Sequence, residues 1–262
     1  RPAGSVSAGT PTFGTGGRPN DGVPRGIAGR DRRRRARRRL VLAPYHWAMT
    51  RVKLCGITSL DDAKLAADAG AWAIGMIFTA QSPRQVEVAT AAEIGAAMRR
   101  RVEVAGVFLN APLDEVVELA DLCSLTMIQL HGDEGPTYCA EVGHRTGLKV
   151  IKAARVRDKA SVQALRAFRV AVDFHLLDAY SEGAHGGTGQ TFQWELAKER
   201  GAGPPLILSG GITPDNVGEA IAGVHPWAVD SASGTESAPG VKDPARVTAL
   251  MRAVEQASLA AA

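Results

Sequence analysis

Cysteine is scarce in this chain. Among 262 residues there are three cysteines, Cys55, Cys123 and Cys139. An odd number of widely spaced cysteines fits neither a disulfide framework nor the paired spacing of a zinc site. We therefore expect free thiols and a protein of the reducing cytoplasm.

Long apolar runs are also missing. The chain has no stretch of about 18 uninterrupted apolar residues, and its first residues lack the apolar segment and cleavage site of a secretory signal. Apolar residues still make up 45% of the composition, which is enough for a core of ordinary size. These features predict a soluble globular protein that is neither secreted nor bound to a membrane.

The excess of positive charge is confined to one end of the chain, although the formal net charge is +4. Residues 1–48 contain eleven arginines, eight of them between positions 30 and 39, against two aspartates. That segment therefore carries +9 and the remainder −5. Because the remainder offers no basic groove, we expect no nucleic-acid partner for it.

Residues 1–48 also differ from the rest in kind. They are rich in Gly, Pro, Ser and Arg without periodicity, whereas regular apolar segments begin at Val52. We predict a disordered basic leader over 1–48 and a folded domain over 49–262. A disordered leader is the favoured interpretation, and upstream sequence translated ahead of a start at Met49 is one origin for it; a nucleic-acid arm and an organelle-targeting peptide are the alternatives.

The folded domain repeats one theme: a short apolar run, a turn, and a helical pattern rich in Ala, Leu and Glu. Such alternation is typical of a parallel sheet. The strand candidates are 51–55, 72–78, 102–108, 126–130, 148–152, 171–177, 205–209 and 227–230. Eight strand–helix units predict an α/β protein with a (β/α)8 barrel, a fold of roughly 200 to more than 400 residues. A doubly wound sheet is the alternative, but "CGITSLDD" after the first strand lacks its glycine fingerprint.

Candidate site residues are those at the carboxyl ends of the predicted strands, where the active sites of such barrels lie. In the first strand, a period of two places Lys53 and Cys55 on one face. Apolar Val52 and Leu54 on the other face should point to the helices. Cys55 then faces the barrel mouth, where it is either a functional thiol or a small buried apolar side chain.

Polar side chains end other predicted strands as well. Arg84, on the loop after the second strand, is either a carboxylate clamp or a solvated surface residue. His131 shares a strand face with Gln129 and is either a ligand or proton carrier, or a structural histidine. Asp178 ends the sixth strand as a cap or an ion-pair partner. Paired with Cys55 it becomes a candidate general acid, because partial burial favours the protonated form of a carboxyl group.

The last two strands end in glycine-containing turns, "LILSGGITPDN" and "AVDSASGTE". Backbone N–H groups of such turns can approach an anion closely, and a phosphate site after strands seven and eight is common in this barrel. The candidates are Gly210, Gly211, Ser233 and Gly234. The glycine-dense segment 181–194, after the sixth strand, has the composition of a mobile lid.

Short segments between residues 50 and 257 follow one another in a characteristic order. They are "VKLCGIT", "SPR", "GVFLN", "IQLHG", "LLDA", "HGGTGQTFQW", "SGGITPDNV", "VDSASGTE" and "KD". In this order and spacing they resemble the phosphoribosylanthranilate isomerase family of tryptophan biosynthesis. The resemblance implies a (β/α)8 barrel with the general base on Cys55 and the general acid on Asp178.

The last long motif departs from the family pattern, which usually reads like "VDVSSGVE". Here Ser231, Ala232 and Thr235 replace the usual neighbours. The other positions of the motif keep their residues: Asp230, Ser233, Gly234 and Glu236.

The resemblance implies N-(5-phosphoribosyl)anthranilate as substrate and an Amadori rearrangement as reaction. Asp178 would protonate the ribose ring oxygen, and Cys55, as a thiolate, would remove the C2 proton of the Schiff base. Because a free thiol has a pKa of about 8.5, we expect nearby cationic or N–H groups to lower the pKa of Cys55. Arg84 would hold the anthranilate carboxylate. The other substrate-binding residues would be His131, Gly210, Gly211, Asp230, Ser233 and Gly234.

These roles call for no metal and no redox cofactor. The expected partner is the small phosphoribosyl substrate. We expect the protein to be a monomer or a homodimer. One alternative is another phosphosugar barrel isomerase, such as the histidine-pathway aminoaldose isomerase. That chemistry normally uses two aspartates, so Cys55 argues against it. A second alternative is an RNA-binding protein that acts through the arginine run of the leader.

Overall fold

The computed structural model describes residues 49–179 and 194–261 of the chain. Two predictions lie outside these residues. One is the leader at 1–48, and the other is the lid at 181–194, of which only Trp194 is described.

Eight parallel strands close into a barrel in chain order, with β8 pairing back onto β1. They are β1 Arg51–Cys55, β2 Ala73–Ile77, β3 Glu103–Phe108, β4 Met127–Leu130, β5 Lys149–Val156, β6 Phe174–Ala179, β7 Leu206–Ser209 and β8 Ala228–Ser231. The predicted (β/α)8 barrel is confirmed. After β8 the chain adds a small antiparallel pair, β9 Glu236–Ala238 with β10 Val241–Lys242.

Helices follow most strands: α1 Leu60–Asp68, α2 Val88–Met98, α3 Leu113–Leu122, α4 Pro136–Thr146, α5 Lys159–Ala164, α6 Val217–Val224 and α7 Pro244–Ala260. Polar caps start several of them, because a side-chain oxygen can accept from an otherwise unpaired N–H of the first turn. Ser59 caps α1 in this way through the N–H of Asp62, and Asp158 forms a capping box with Ser161 at α5. In the described part of the β6–β7 connection, Trp194–Arg200 is a 3-10 helix.

The boundaries of β5 and β6 differ from the predicted ones. β5 continues to Val156 because its last residues pair with the end of β6, Val156 opposite Ala179. β6 begins only at Phe174, because Ala171 closes a turn onto Phe168 and the Asp173 carboxylate accepts from the N–H of Val150. The strand-like residues 171–173 therefore form the entry to β6.

The core has two layers. One lies between the strands and the helices, and a smaller one fills the barrel interior with side chains such as Met127, Ile151 and Leu176. At the amino-terminal end of the barrel, Trp72, Phe174 and Trp227 pack on one another with ring centroids 4.7–5.6 Å apart. The interior is thus closed with apolar groups at that end, and its polar side chains lie toward the carboxyl ends of the strands.

Within the described residues, none of the helices combines the length and the hydropathy that a membrane crossing needs.

Candidate active site

Cys55 is the last residue of β1 and only 6% exposed. Val52 and Leu54 belong to the outer core layer, so the alternation of the strand turns Lys53 and Cys55 into the barrel, as predicted. The ammonium of Lys53 is fully buried and donates a 2.8 Å hydrogen bond to Asp230 on β8. A thiol and a buried ion pair therefore share the interior at the end of β1.

Gly75 makes the room that this thiol occupies. It is the direct neighbour of Cys55 in the β1–β2 pairing. A Cβ atom at Gly75 would lie 2.7 Å from Cys55 Sγ and 3.0 Å from Lys53 Nζ. The first approach is closer than a real Cβ atom comes and the second is tighter than most, so a side chain at position 75 would displace the thiol or the ammonium from this shared space.

The pKa of Cys55 differs from the prediction made from the sequence. Burial raises the pKa of this thiol above its ordinary value, and the charge of Lys53 opposes the rise without cancelling it. Lys53 and Lys242 act to lower this pKa, as expected, but the expected net lowering is wrong, because the desolvation of a thiolate outweighs their attraction. Thiolate at this position is favoured by alkaline conditions.

Asp178 lies on β6 at the same end of the barrel and has a 29% exposed side chain. Its Oδ2 is 3.2 Å from His131 Nε2, and His131 Nδ1 is 3.1 Å from Gln129 Nε2. An amide nitrogen only donates, so Nδ1 accepts and Nε2 carries the proton toward Asp178. Gln129 and His131 lie on one face, as predicted. Gln129 orients His131, and His131 in turn orients the Asp178 carboxylate.

Arg84 is not a solvated surface residue. Its Nε and Nη2 form a fork on the Glu236 carboxylate, with contacts of 2.8–2.9 Å. The Glu236 side chain is 3% exposed and also accepts from Lys242 Nζ at 3.2 Å. Glu236 ends the motif "VDSASGTE" and Lys242 begins "KD", but the motifs alone predict no role for either residue.

Lys242 connects this ion pair to the end of β1. Its buried Nζ donates to the carbonyl oxygen of Cys55 at 2.7 Å and to that of Ala232 at 3.0 Å. It also contacts Thr235 Oγ1 at 3.2 Å, so the substituted Thr235 has a partner. Burial lowers the pKa of Lys242, while the charge of Glu236 acts in the opposite direction.

The predicted phosphate residues lie on two loops that meet at the ends of β7 and β8. Gly210 and Gly211 have φ angles of 84° and 66°, a left-handed turn that favours glycine. Ser231 Oγ donates to the carbonyl oxygen of Ile212 at 2.7 Å, which joins the two loops. Ser231, which replaces a usual valine, is therefore a buried polar group with a partner. The structure brings together the candidates Gly210, Gly211, Ser233 and Gly234.

Asp230 is linked to the ends of two neighbouring strands. Besides Lys53 on β1, it accepts a 3.2 Å hydrogen bond from Ser209 Oγ on β7. Its relative exposure is 4%, so this carboxylate lies within the barrel, below the loops that carry the glycines.

Comparisons with known proteins agree on one family. Residues 52–253 match the family model described as N-(5'phosphoribosyl)anthranilate (PRA) isomerase. The N-(5'-phosphoribosyl)anthranilate isomerase of Geobacter sulfurreducens is 51% identical over 204 residues, 78% of this chain and 98% of the relative.

Solved structures give the same result. The phosphoribosyl anthranilate isomerase of Thermotoga maritima superposes with a TM-score of 0.73 at 34% identity, covering 79% of this chain and all of the other. A phosphoribosyl anthranilate isomerase in complex with reduced 1-(o-carboxyphenylamino)-1-deoxyribulose 5-phosphate has a TM-score of 0.70 and 32% identity, with 79% and 100% coverage.

Proposed function

This chain belongs to the N-(5'-phosphoribosyl)anthranilate isomerase family, and we propose that Cys55 is the general base and Asp178 the general acid of its reaction. The chain is an isomerase of tryptophan biosynthesis. The observation that supports the two roles is the placement of the thiol on β1 and the carboxyl group on β6 at the same end of the barrel.

The rearrangement of N-(5'-phosphoribosyl)anthranilate moves protons and leaves the oxidation level of the molecule unchanged. Asp178 gives a proton to the ribose ring oxygen as the C1–O bond breaks and the nitrogen lone pair forms a protonated Schiff base. Cys55 removes the C2 proton, and the electrons of that C–H bond neutralise the Schiff base to an enolamine. Proton uptake at C1 and release of the C2 hydroxyl proton then give the ketose. Two positioned groups are enough for this chemistry.

His131 supports Asp178 in this assignment. Its Nε2–H donates to Asp178 Oδ2, which leaves Oδ1 as the oxygen that carries the proton for the ribose ring oxygen in the proposed reaction. A fixed carboxyl group loses less rotational freedom when the ring oxygen arrives, which favours proton transfer.

Arg84 and the two glycine-containing loops hold the ends of the substrate in the proposed complex. Arg84 binds the anthranilate carboxylate while its Nε and Nη2 stay on Glu236. The turns at Gly210–Gly211 and Ser233–Gly234 present backbone N–H groups to the phosphate. Asp230, below them, holds Lys53 and faces the sugar.

Replacing Arg84 with alanine is expected to raise KM more than it lowers kcat. Hydrogen bonds to charged groups contribute about 1.5–3 kcal/mol, so KM should rise roughly ten- to a hundredfold. The clamp holds a part of the substrate that does not react, and it acts equally in the ground and transition states. Steady-state kinetics on Arg84→Ala measure both constants.

Arg84→Lys is the matched variant, because it keeps the charge and loses the fork. It should show an intermediate KM. A collapse of kcat at unchanged KM in Arg84→Ala would contradict the clamp.

The activity itself is tested by following the fluorescence of N-(5'-phosphoribosyl)anthranilate after the purified chain is added. We expect the signal to decay in proportion to enzyme concentration. The aminoaldose substrate of the histidine pathway is the comparison arm, and it should give no turnover. Turnover of that substrate alone would contradict the assignment.

We also propose that the domain over 49–262 works in the cytoplasm, as a monomer or homodimer, and folds without the leader. The described barrel is closed by residues from Arg51 onward, and α7 packs its last turns against the start of β1, where Ser258 Oγ accepts from the N–H of Thr50.

A further inference from the structure

Lys53 is a charged residue in the barrel interior, where (β/α)8 barrels normally hold apolar side chains. It is 0% exposed and faces the interior from β1. Asp230, its direct neighbour in the β1–β8 pairing, is 4% exposed. A buried ion pair is often no more stabilising than apolar residues of similar volume, because both charges lose their water. Stability alone therefore gives little reason for this pair.

The position of the pair suggests another reason. Lys53 Nζ and Cys55 Sγ both project into the space that Gly75 leaves empty, as the 3.0 Å and 2.7 Å approaches to a Cβ at that position show. The ammonium and the sulfur are thus neighbours inside the barrel. Asp230 holds the ammonium in place from the adjacent strand at 2.8 Å.

The charges around Cys55 come from several elements. The charged groups near the end of β1 are Lys53 on β1 itself, Asp230 on β8, Glu236 on β9, Lys242 on β10 and Arg84 on the loop after β2. Glu236 is shared by Arg84 and Lys242. Lys242 reaches the backbone carbonyl of Cys55. Lys53 is the cation that shares the space beside the sulfur.

Lys53 remains protonated and therefore provides a constant positive charge. Burial by itself lowers the pKa of a lysine, but the charges of Asp230 and Cys55 raise the pKa of Lys53 above its ordinary value. Lys53 therefore stays an ammonium over the working pH range and is unsuited to accept a proton. For Cys55, burial raises the pKa, and Lys53 contributes the largest opposing effect.

We propose that Lys53 is a positioning residue for the reaction, whose ammonium, anchored by Asp230, stabilises the thiolate of Cys55. This role rests on the proposed function of Cys55 as general base. Lys53 acts through Cys55: it determines how much of the thiol is ionised when the substrate is bound. Gly75 also contributes, because its missing side chain leaves space in which the ammonium and the sulfur lie side by side.

The test is the titration of Cys55 in Lys53→Met, carried out on the full chain. The ultraviolet absorbance of the thiolate is measured against pH, and for each protein the same protein carrying Cys55→Ser is the blank that removes the contributions of other residues. Loss of a neighbouring positive charge should move the midpoint upward by at least about one pH unit. The rising limb of the kcat–pH profile should move by the same amount. At neutral pH kcat should therefore fall about tenfold, and it should recover at alkaline pH.

Lys152→Met is the matched control. Lys152 is also a buried lysine, paired with Glu134 at 2.7 Å, but its partners lie on the β4–α4 connection. This variant should leave the Cys55 midpoint in place whatever it does to thermal stability. An equal shift of the Cys55 midpoint in Lys152→Met would overturn the proposal, because the loss of any buried ion pair would then produce the shift.

Lys53→Met leaves Asp230 charged and unpaired, which endangers folding. The double variant Lys53→Met/Asp230→Asn is therefore compared with Asp230→Asn, so that the two proteins differ only in the lysine. The double variant should titrate at least about one pH unit higher. Equal midpoints in this pair would overturn the role of Lys53.

The titration needs no substrate and is independent of the proposed activity. If the wild-type chain does not turn over phosphoribosylanthranilate, the function fails while the Lys53–Cys55 coupling can still be measured. A shifted midpoint with an unchanged kcat–pH profile would show the coupling and overturn its part in the reaction.

Discussion

Cys55→Ser is expected to lower kcat by at least about a hundredfold, because general acid–base groups typically contribute 10²–10⁴-fold. Serine keeps nearly the volume of cysteine, but its hydroxyl is not ionised in the range where a thiol titrates. Folding should survive, since the change is made in a space already shaped by Gly75. KM should change little, because the base contacts a proton that moves only in the transition state.

A stability measurement and a control variant accompany Cys55→Ser. Its thermal unfolding midpoint should stay near that of the wild type. Cys139→Ser is the control, because that thiol is also buried but lies on α4 in the outer core layer, outside the barrel interior. It should keep its turnover. A Cys55→Ser protein with more than about a tenth of the wild-type kcat would contradict the role as base, because even the lower end of the typical contribution is larger.

Asp178→Asn should cause a loss of similar size, about 10²–10⁴-fold in kcat. Asparagine keeps the shape of the side chain and can still accept from His131 Nε2, which now lies 3.2 Å from the carboxylate. What it cannot do is give a proton to the ribose ring oxygen. The side chain is partly exposed at the mouth, so unfolding should be little affected.

Asp114→Asn is the matched control for Asp178→Asn. Asp114 is an 88% exposed carboxylate on α3 that pairs with Arg145. Exposed pairs contribute little, so both turnover and stability should stay near wild-type values. If Asp178→Asn kept most of its activity, the ring-opening proton would have to come from another group.

Much of the site follows from local patterns. The period of two in "RVKLC" turns Cys55 inward, and the same reasoning places Gln129 and His131 on one face. The alternation of strands and helices predicts the carboxyl ends at which Asp178 and the glycine turns gather. These inferences succeed because the direction of a side chain in a strand depends on its immediate neighbours in the sequence.

The partners of these residues do not follow from local patterns. Arg84 meets Glu236 across 152 positions, and Lys242 reaches the carbonyl of Cys55 across 187. Three predictions are wrong where contacts distant in sequence contribute. β5 continues past its predicted end because it pairs with β6. β6 begins later because of turn and side-chain contacts with its surroundings, and Cys55 has a raised pKa because the closed barrel removes it from water.

The sequence by itself determined the family, the barrel and the identity of the residues at the strand ends, because motif order and short-range periodicity are written along the chain. Only the tertiary structure decided which of those residues touch. Barrel closure pairs Lys53 with Asp230 and sets Cys55 beside Gly75. The interaction energy between two charges depends on their distance and on their burial. Both are set when strands that are distant in sequence become neighbours. The ionisation of the Cys55 thiol is therefore a property of the fold.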